Sequence, residues 1–139
     1  MSDMKLTKPQ REVLKGKFGG KCAYCGTELN KGWHADHLEA VVRNHKWVSG
    51  KGFVADGTCA RPENDNFENL MPSCAPCNID KHSMSLEGWR VKLSRSLEVL
   101  QKNCSTYRHA KRFGLLEDTP KPIVFYFETY KAESSVGNG

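Results

Sequence analysis

Two cysteine pairs constrain this chain more than any other feature: Cys22 and Cys25 near the start, Cys74 and Cys77 past the middle. Thiols two residues apart form a tight knuckle when a glycine follows, and Gly26 follows the first pair. Each knuckle presents both sulfurs to one ion, and two knuckles complete a tetrahedron of thiolates suited to zinc. The 48 residues between Cys25 and Cys74 exceed the gap of about 15–20 in an ordinary zinc ribbon. The clamp must therefore enclose a substantial insert. A redox pair is the alternative, but it needs only one such motif, usually after a strand in a βαβ pattern that is absent here. Cys59 and Cys104 each lack a nearby partner and read as bystanders.

The chain of 139 residues suits a single domain over 1–130, with a core at about 10–85, an extension at 86–130 and a disordered tail at 131–139. With 38% hydrophobic and 27% charged residues, a staple would help stability. The net charge of +5 suits a polyanionic partner, although charge alone is weak evidence. No apolar run approaches the roughly 18–20 residues of a membrane span, so no membrane partner is expected. Residues 1–5 lack the apolar core of a signal peptide. The expected location is cytoplasmic, in a bacterial cell or a phage-infected host. Thiols stay reduced there, which favours a metal over a disulfide.

Residues 7–18 read as a first helix, with Thr7 and Gln10 as a capping box, Pro9 in the first turn, and Val13, Leu14 and Phe18 as an apolar stripe. Its cations are expected to be solvated. Residues 33–42 read as a strand running into a turn. Adjacent strand residues face opposite ways, so Asp36 and His37 can serve one site only where the strand bends or ends. His34 is either an extra ligand or a packing residue, with packing favoured. Residues 43–66 are glycine-rich and basic, with Trp47 and Phe53 among the cations. Within them residues 48–53 have turn chemistry and suit a hairpin tip or an open loop, and the stretch is either a nucleic-acid contact or a flexible loop packed by its two aromatics. Residues 66–72 read as extended, and a short helix beginning near Pro76 puts Asn78 and His82 on one face. Residues 85–101 read as the longest helix, capped by Ser85, with Leu86, Trp89, Leu93, Leu97 and Leu100 as its stripe. A basic helical stretch at 106–114 and a strand at 123–127 complete an α+β chain.

Taken in order, Gly19, Gly20, Lys21, Cys22, Cys25, Gly26, Asp36, His37, Asn69, Leu70, Cys74, Cys77, Asn78 and Lys81 resemble the motif of HNH endonucleases. These are ββα-metal nucleases, often stapled by a four-cysteine zinc, and the resemblance is to the small type frequent in phages and bacteria. The resemblance covers residues 10–85 and implies a ββα-metal core with flanking helices and a C-terminal strand. It implies Asp36 as first ligand of a catalytic ion and His37 as general base. Asn69 would hold the loop bearing the histidine, and Asn78 would be the second ligand. His82 is a position that some relatives also use for metal. Thirty-one residues between His37 and Asn69 are more than compact members have, and Glu39 and Ala40 stand where many carry an apolar residue and proline.

The chemistry is consistent with those roles. Phosphodiester hydrolysis needs an activated water, charge neutralisation at the phosphate and a stabilised leaving oxygen. An imidazole, with a reference pKa of about 6.5, is a suitable base near neutrality. Hard oxygens from Asp36 and Asn78 favour Mg²⁺ or Mn²⁺, whereas thiolates favour Zn²⁺. Lys81, Arg43 and Arg90 are candidates for phosphate contacts. The expected function is metal-dependent DNA cleavage, nicking as a monomer or cutting both strands as a homodimer. A non-catalytic zinc-ribbon module that binds nucleic acid and a thiol-based sensor are the competing readings.

Overall fold

The computed structural model describes residues 5–39, 42–60 and 66–131. It is a mixed helical and antiparallel structure, so the α+β class is correct. Two compact units divide the chain: residues 1–85 together with 125–139, and residues 86–124. The segment from Phe125 onward belongs to the first unit.

In the first unit, α1 (Lys8–Lys15) begins at the capping box: the Gln10 amide donates to the Thr7 hydroxyl, and the Gln10 side chain accepts from the Thr7 amide. A 3₁₀ turn, Gly16–Phe18, ends it. Only Leu14 of the anticipated stripe is buried; Val13 is 65% exposed. Strand β1 (His34–His37) is followed by β2 (Val42–Val48) and β3 (Gly52–Ala60). A 3₁₀ turn at Phe67–Asn69, capped by the Asn66 side chain, precedes β4 (Leu70–Ser73). That turn replaces the first half of the extended stretch expected at 66–72.

Strand β1 pairs antiparallel with β4, from His34 opposite Ser73 to His37 opposite Leu70. Every residue of β4 is buried. Strands β2 and β3 form a separate hairpin with a bulge between Arg43 and His45, so the hairpin alternative for this region is the one adopted. Helix α2 (Ala75–Lys81) starts from Cys74 and lies against β1.

The C-terminal strand expected at 123–127 is not formed. The chain is extended only as far as Phe125 and then turns into α6 (Tyr126–Thr129). Among the described residues no strand receives it. The Tyr126 and Phe127 amides donate instead to the carbonyls of Tyr24 and Ala23, inside the first cysteine knuckle. Phe125 and Phe127 pack edge-on against Tyr24, and Phe18 packs on Phe127 and Tyr130. Burial of this aromatic cluster holds the segment in place. The expected disordered tail lies, beyond residue 131, outside the described residues.

The second unit is helical. The long helix anticipated at 85–101 is two: α3 (Leu86–Ser94) and α4 (Ser96–Asn103). At the break, the Ser94 and Ser96 hydroxyls donate to the carbonyls of Val91 and Leu93. Such back-bonding competes with the helical ladder and bends it. Trp89 is the buried member of the expected stripe, whereas Leu100 is 38% exposed. Helix α5 (Ser105–Arg112) occupies the expected basic stretch. Its cations are engaged within the unit. Arg108 donates to the last carbonyls of α4, and Lys111 pairs with Asp118 at 2.8 Å.

Candidate functional site

The four cysteine sulfurs of Cys22, Cys25, Cys74 and Cys77 all lie within 4.8 Å of one another. A tetrahedral zinc with bonds of about 2.3 Å sets its sulfurs roughly 3.8 Å apart. Cys25 and Cys74 are 3.7 Å apart, which fits that geometry and is far too long for a disulfide. All four are free thiols.

The surrounding backbone is shaped to the cluster. Gly26 takes a φ of +79°, and its amide donates to the Cys22 carbonyl, closing the knuckle. A Cβ at Gly26 would stand 3.0 Å from the Tyr126 ring, so glycine is required there for both reasons. The Tyr24 amide points at the Cys22 sulfur, and the Thr27 hydroxyl lies 3.2 Å from the Cys25 sulfur. The Ala23 amide donates to the Pro72 carbonyl, tying the first knuckle to β4. In the second knuckle, Cys74 caps α2 and Cys77 sits in its first turn.

The thiols share protons unequally. A hydrogen bond from Cys77 holds the Cys22 thiol far below its ordinary range, against the opposing effect of burial. The same bond, followed by burial, pushes Cys77 up, and burial pushes Cys74 up. A dication would replace those shared protons with one positive centre, which is the arrangement a four-thiolate zinc site requires. The four residues could hold such an ion.

Asp36 and His37 occupy the last two positions of β1, after which the chain bends. Asp36 is 7% exposed. Its Oδ2 accepts from the Tyr24 hydroxyl at 2.6 Å and lies 3.2 Å from the Lys81 ammonium. Among the described residues its Oδ1 has no hydrogen-bond partner. Burial, and then the Asp36 charge, push the Tyr24 phenol well above its usual value, so it remains a donor.

Lys81 is completely buried and also donates to the His37 carbonyl at 2.9 Å. This overturns its expected role as a phosphate contact. An ammonium with no solvent exposure, paired to a carboxylate and a carbonyl, is an internal fastener.

Asn69 brackets the backbone after His37. Its Oδ1 accepts from the Glu39 amide at 3.0 Å, its Nδ2 donates to the Glu39 carbonyl at 2.8 Å, and its carbonyl accepts from the Leu38 amide at 2.8 Å. His37 itself is half-buried. Asn78 lies on α2 three residues before Lys81, the residue that reaches Asp36. It is half-buried, with no side-chain hydrogen bond among the described residues.

His82 departs from the expected face. It is the C-cap of α2 with a φ of +52°, which turns its side chain off the helical path, and its exposed ring meets Ser83. Among the described residues the cysteines are the one group of three or more His, Cys, Asp or Glu side chains able to share an ion. Asp36, His37 and His82 do not form a second such group. His34 is exposed, not packed.

Arg90 is also committed internally. It grips Glu87 through two nitrogens and donates to the Ile123 carbonyl at 2.7 Å, which removes it from the expected phosphate contacts. The backbone of Arg43 lies in β2, opposite Cys59, and its side chain falls outside the described residues. Sequence reasoning missed Tyr24 and its hydroxyl on Asp36. Its place between the knuckle cysteines was the available signal.

Among the described residues no helix is long and apolar enough to cross a membrane. Comparison of the chain with protein-family models, with curated proteins and with solved structures found no match.

Proposed function

We propose that this chain is a metal-dependent endonuclease of the HNH kind, hydrolysing DNA phosphodiester bonds with His37 as general base. The observation that carries the reading is how the end of β1 is held. Lys81 holds the His37 carbonyl, Asn69 holds the next two residues, and Tyr24 and Lys81 both take Oδ2 of Asp36. A general base works best when its backbone is locked and its ring is set by the surroundings. Asp36 then has Oδ1 to offer, and Asn78 its amide oxygen. That pair suits Mg²⁺ or Mn²⁺, which take few protein oxygens and keep waters and phosphate oxygens as their other ligands. Bound there, such an ion would supply Lewis acidity at the phosphate and the leaving oxygen. His37 would take the proton from the attacking water at an imidazole nitrogen. Zinc at the four cysteines would be structural.

The Asp36–Lys81 pair also favours a competing reading, a nucleic-acid-binding module without catalysis in which Asp36 only anchors the core. Conversion of supercoiled plasmid to nicked and linear forms, with Mg²⁺ or Mn²⁺, separates the two. Wild type and His37→Ala are compared after both are checked for fold and metal content. Cleavage by wild type that disappears in His37→Ala is expected. A wild type that binds plasmid without cutting it would leave the binding module, and an equally active His37→Ala would remove His37 as the base.

A further inference from the structure

The proposed chemistry makes no use of β2 and β3, although they form the longest strand pair in the first unit. The strands have 7 and 9 residues. At roughly 3.3 Å per residue the ribbon is about 25 Å long. Isolated two-stranded hairpins are marginal in water, and both strands of such a ribbon are edges. A ribbon of this kind is best explained by something that it grips.

Three observations define the partner. Trp47, opposite Phe53 beside the turn, is 67% exposed. Lys51 stands exposed in the turn itself, where its amide donates to the Val48 carbonyl. The sequence of residues 42–60 contains three cations, Arg43, Lys46 and Lys51, and one acid, Asp56. An exposed indole on a cationic ribbon suits a surface that combines negative charge with flat apolar edges. Duplex DNA offers both, and its major groove, about 12 Å wide, admits a two-stranded ribbon.

We propose that the β2–β3 ribbon is a duplex-DNA grip that enters the major groove, with Trp47 against base edges and Lys51 at a phosphate. The inference rests on DNA being the substrate but not on the chemistry at His37. Phosphate contacts would set the register, while the indole would add apolar contact within the groove.

The test is fluorescence anisotropy with a labelled duplex and the matching single strand, without added Mg²⁺ or Mn²⁺. The full-length protein is used as wild type, Trp47→Ala and Lys51→Glu. Both positions are exposed, and circular dichroism and zinc content confirm that each variant is folded. Wild type is expected to prefer the duplex. Trp47→Ala should weaken duplex binding about fivefold or more. Lys51→Glu should also weaken it and lower the salt slope by about one. Variants that bind duplex like wild type would overturn the grip, as would a wild type that prefers the single strand. A dimer that Trp47→Ala converts to monomer would assign the ribbon to a second copy of this chain and also overturn it. The plasmid assay keeps the two proposals apart. Binding lost in the variants with no cleavage by wild type would leave the grip and remove the nuclease. Cleavage with unchanged binding would do the reverse.

Discussion

The two strand pairs of the first unit are held together in opposite ways. The β2–β3 hairpin joins neighbours through a tight turn, in which Gly50 takes a φ of +84° and Lys51 bonds back to Val48. The β1–β4 pair joins residue 37 to residue 70 and is only four residues long on each side. Closing a long loop costs entropy that a short ladder cannot offset alone. The β1–β4 pair is therefore fastened at both ends. The cysteine cluster sits beside the His34–Ser73 end, and Asn69 clamps the His37–Leu70 end. Between them Lys81 pins Asp36 and the His37 carbonyl. Asp36 and His37, proposed for chemistry, stand on the fastened pair, and the residues proposed for grip stand on the local one. Rigid placement suits a reaction centre; a self-paired ribbon suits a surface that adapts to a partner.

This contrast can be broken at its strongest fastener first. Replacing Cys74 by serine, or stripping the ion that the cysteines are suited to hold, should unfold β1–β4. A loss on the order of 10 kcal/mol is expected for a structural zinc site. NMR should then show cross-strand contacts vanishing between β1 and β4 while those within β2–β3 persist. Simultaneous loss of both sets would mean that the ribbon is not independently paired.

The next effect concerns the buried ion pair. Lys81→Met leaves the Asp36 charge buried without its cation, and should lower stability by about 3–5 kcal/mol in urea unfolding. Adding Asp36→Asn to the same protein should recover part of that loss. If the double variant is no more stable than the single, Lys81 acts mainly through the His37 carbonyl.

Asn69→Ala should cost about 1–3 kcal/mol by removing two hydrogen bonds to the Glu39 backbone, each contributing about 0.5–1.5 kcal/mol net. Amide hydrogen exchange at Glu39 should accelerate more than exchange anywhere in the ribbon. The smallest effect belongs to the hairpin: Gly50→Ala should destabilise the turn by roughly 1–2 kcal/mol through its positive φ. Among the described residues no atom beyond the adjoining residues lies within 4 Å of the added Cβ, so steric crowding adds nothing. Global melting should barely move, and a large drop would show that the ribbon supports the rest of the unit.

Much of the first unit around the fastened pair was legible because its signals are local or have fixed spacing. Thr7 and Gln10 announced a capping box, and the cysteine spacing announced one shared cluster. The expected end of a strand at Asp36 and His37 followed from side-chain alternation alone. The residues misjudged were those whose role depends on distant partners. Lys81 and Arg90 look like free cations in sequence, because nothing near them indicates that Asp36 or the Ile123 carbonyl will be their partner. Residues 123–127 are a β-branched and aromatic run that reads as a strand, yet the available hydrogen-bond acceptors were the carbonyls of Ala23 and Tyr24 in the knuckle.

By itself, then, the amino-acid order determined the cysteine clamp, the first helix with its cap, the basic helix α5 and the position of Asp36 and His37. Each depends on neighbours in sequence or on side-chain chemistry that a fixed spacing reveals. Tertiary structure decided which cations are buried, which carbonyls receive the returning C-terminal segment, and which oxygen of Asp36 remains open. Burial and long-range hydrogen bonding depend on segments brought together only by folding, so no local pattern can carry them.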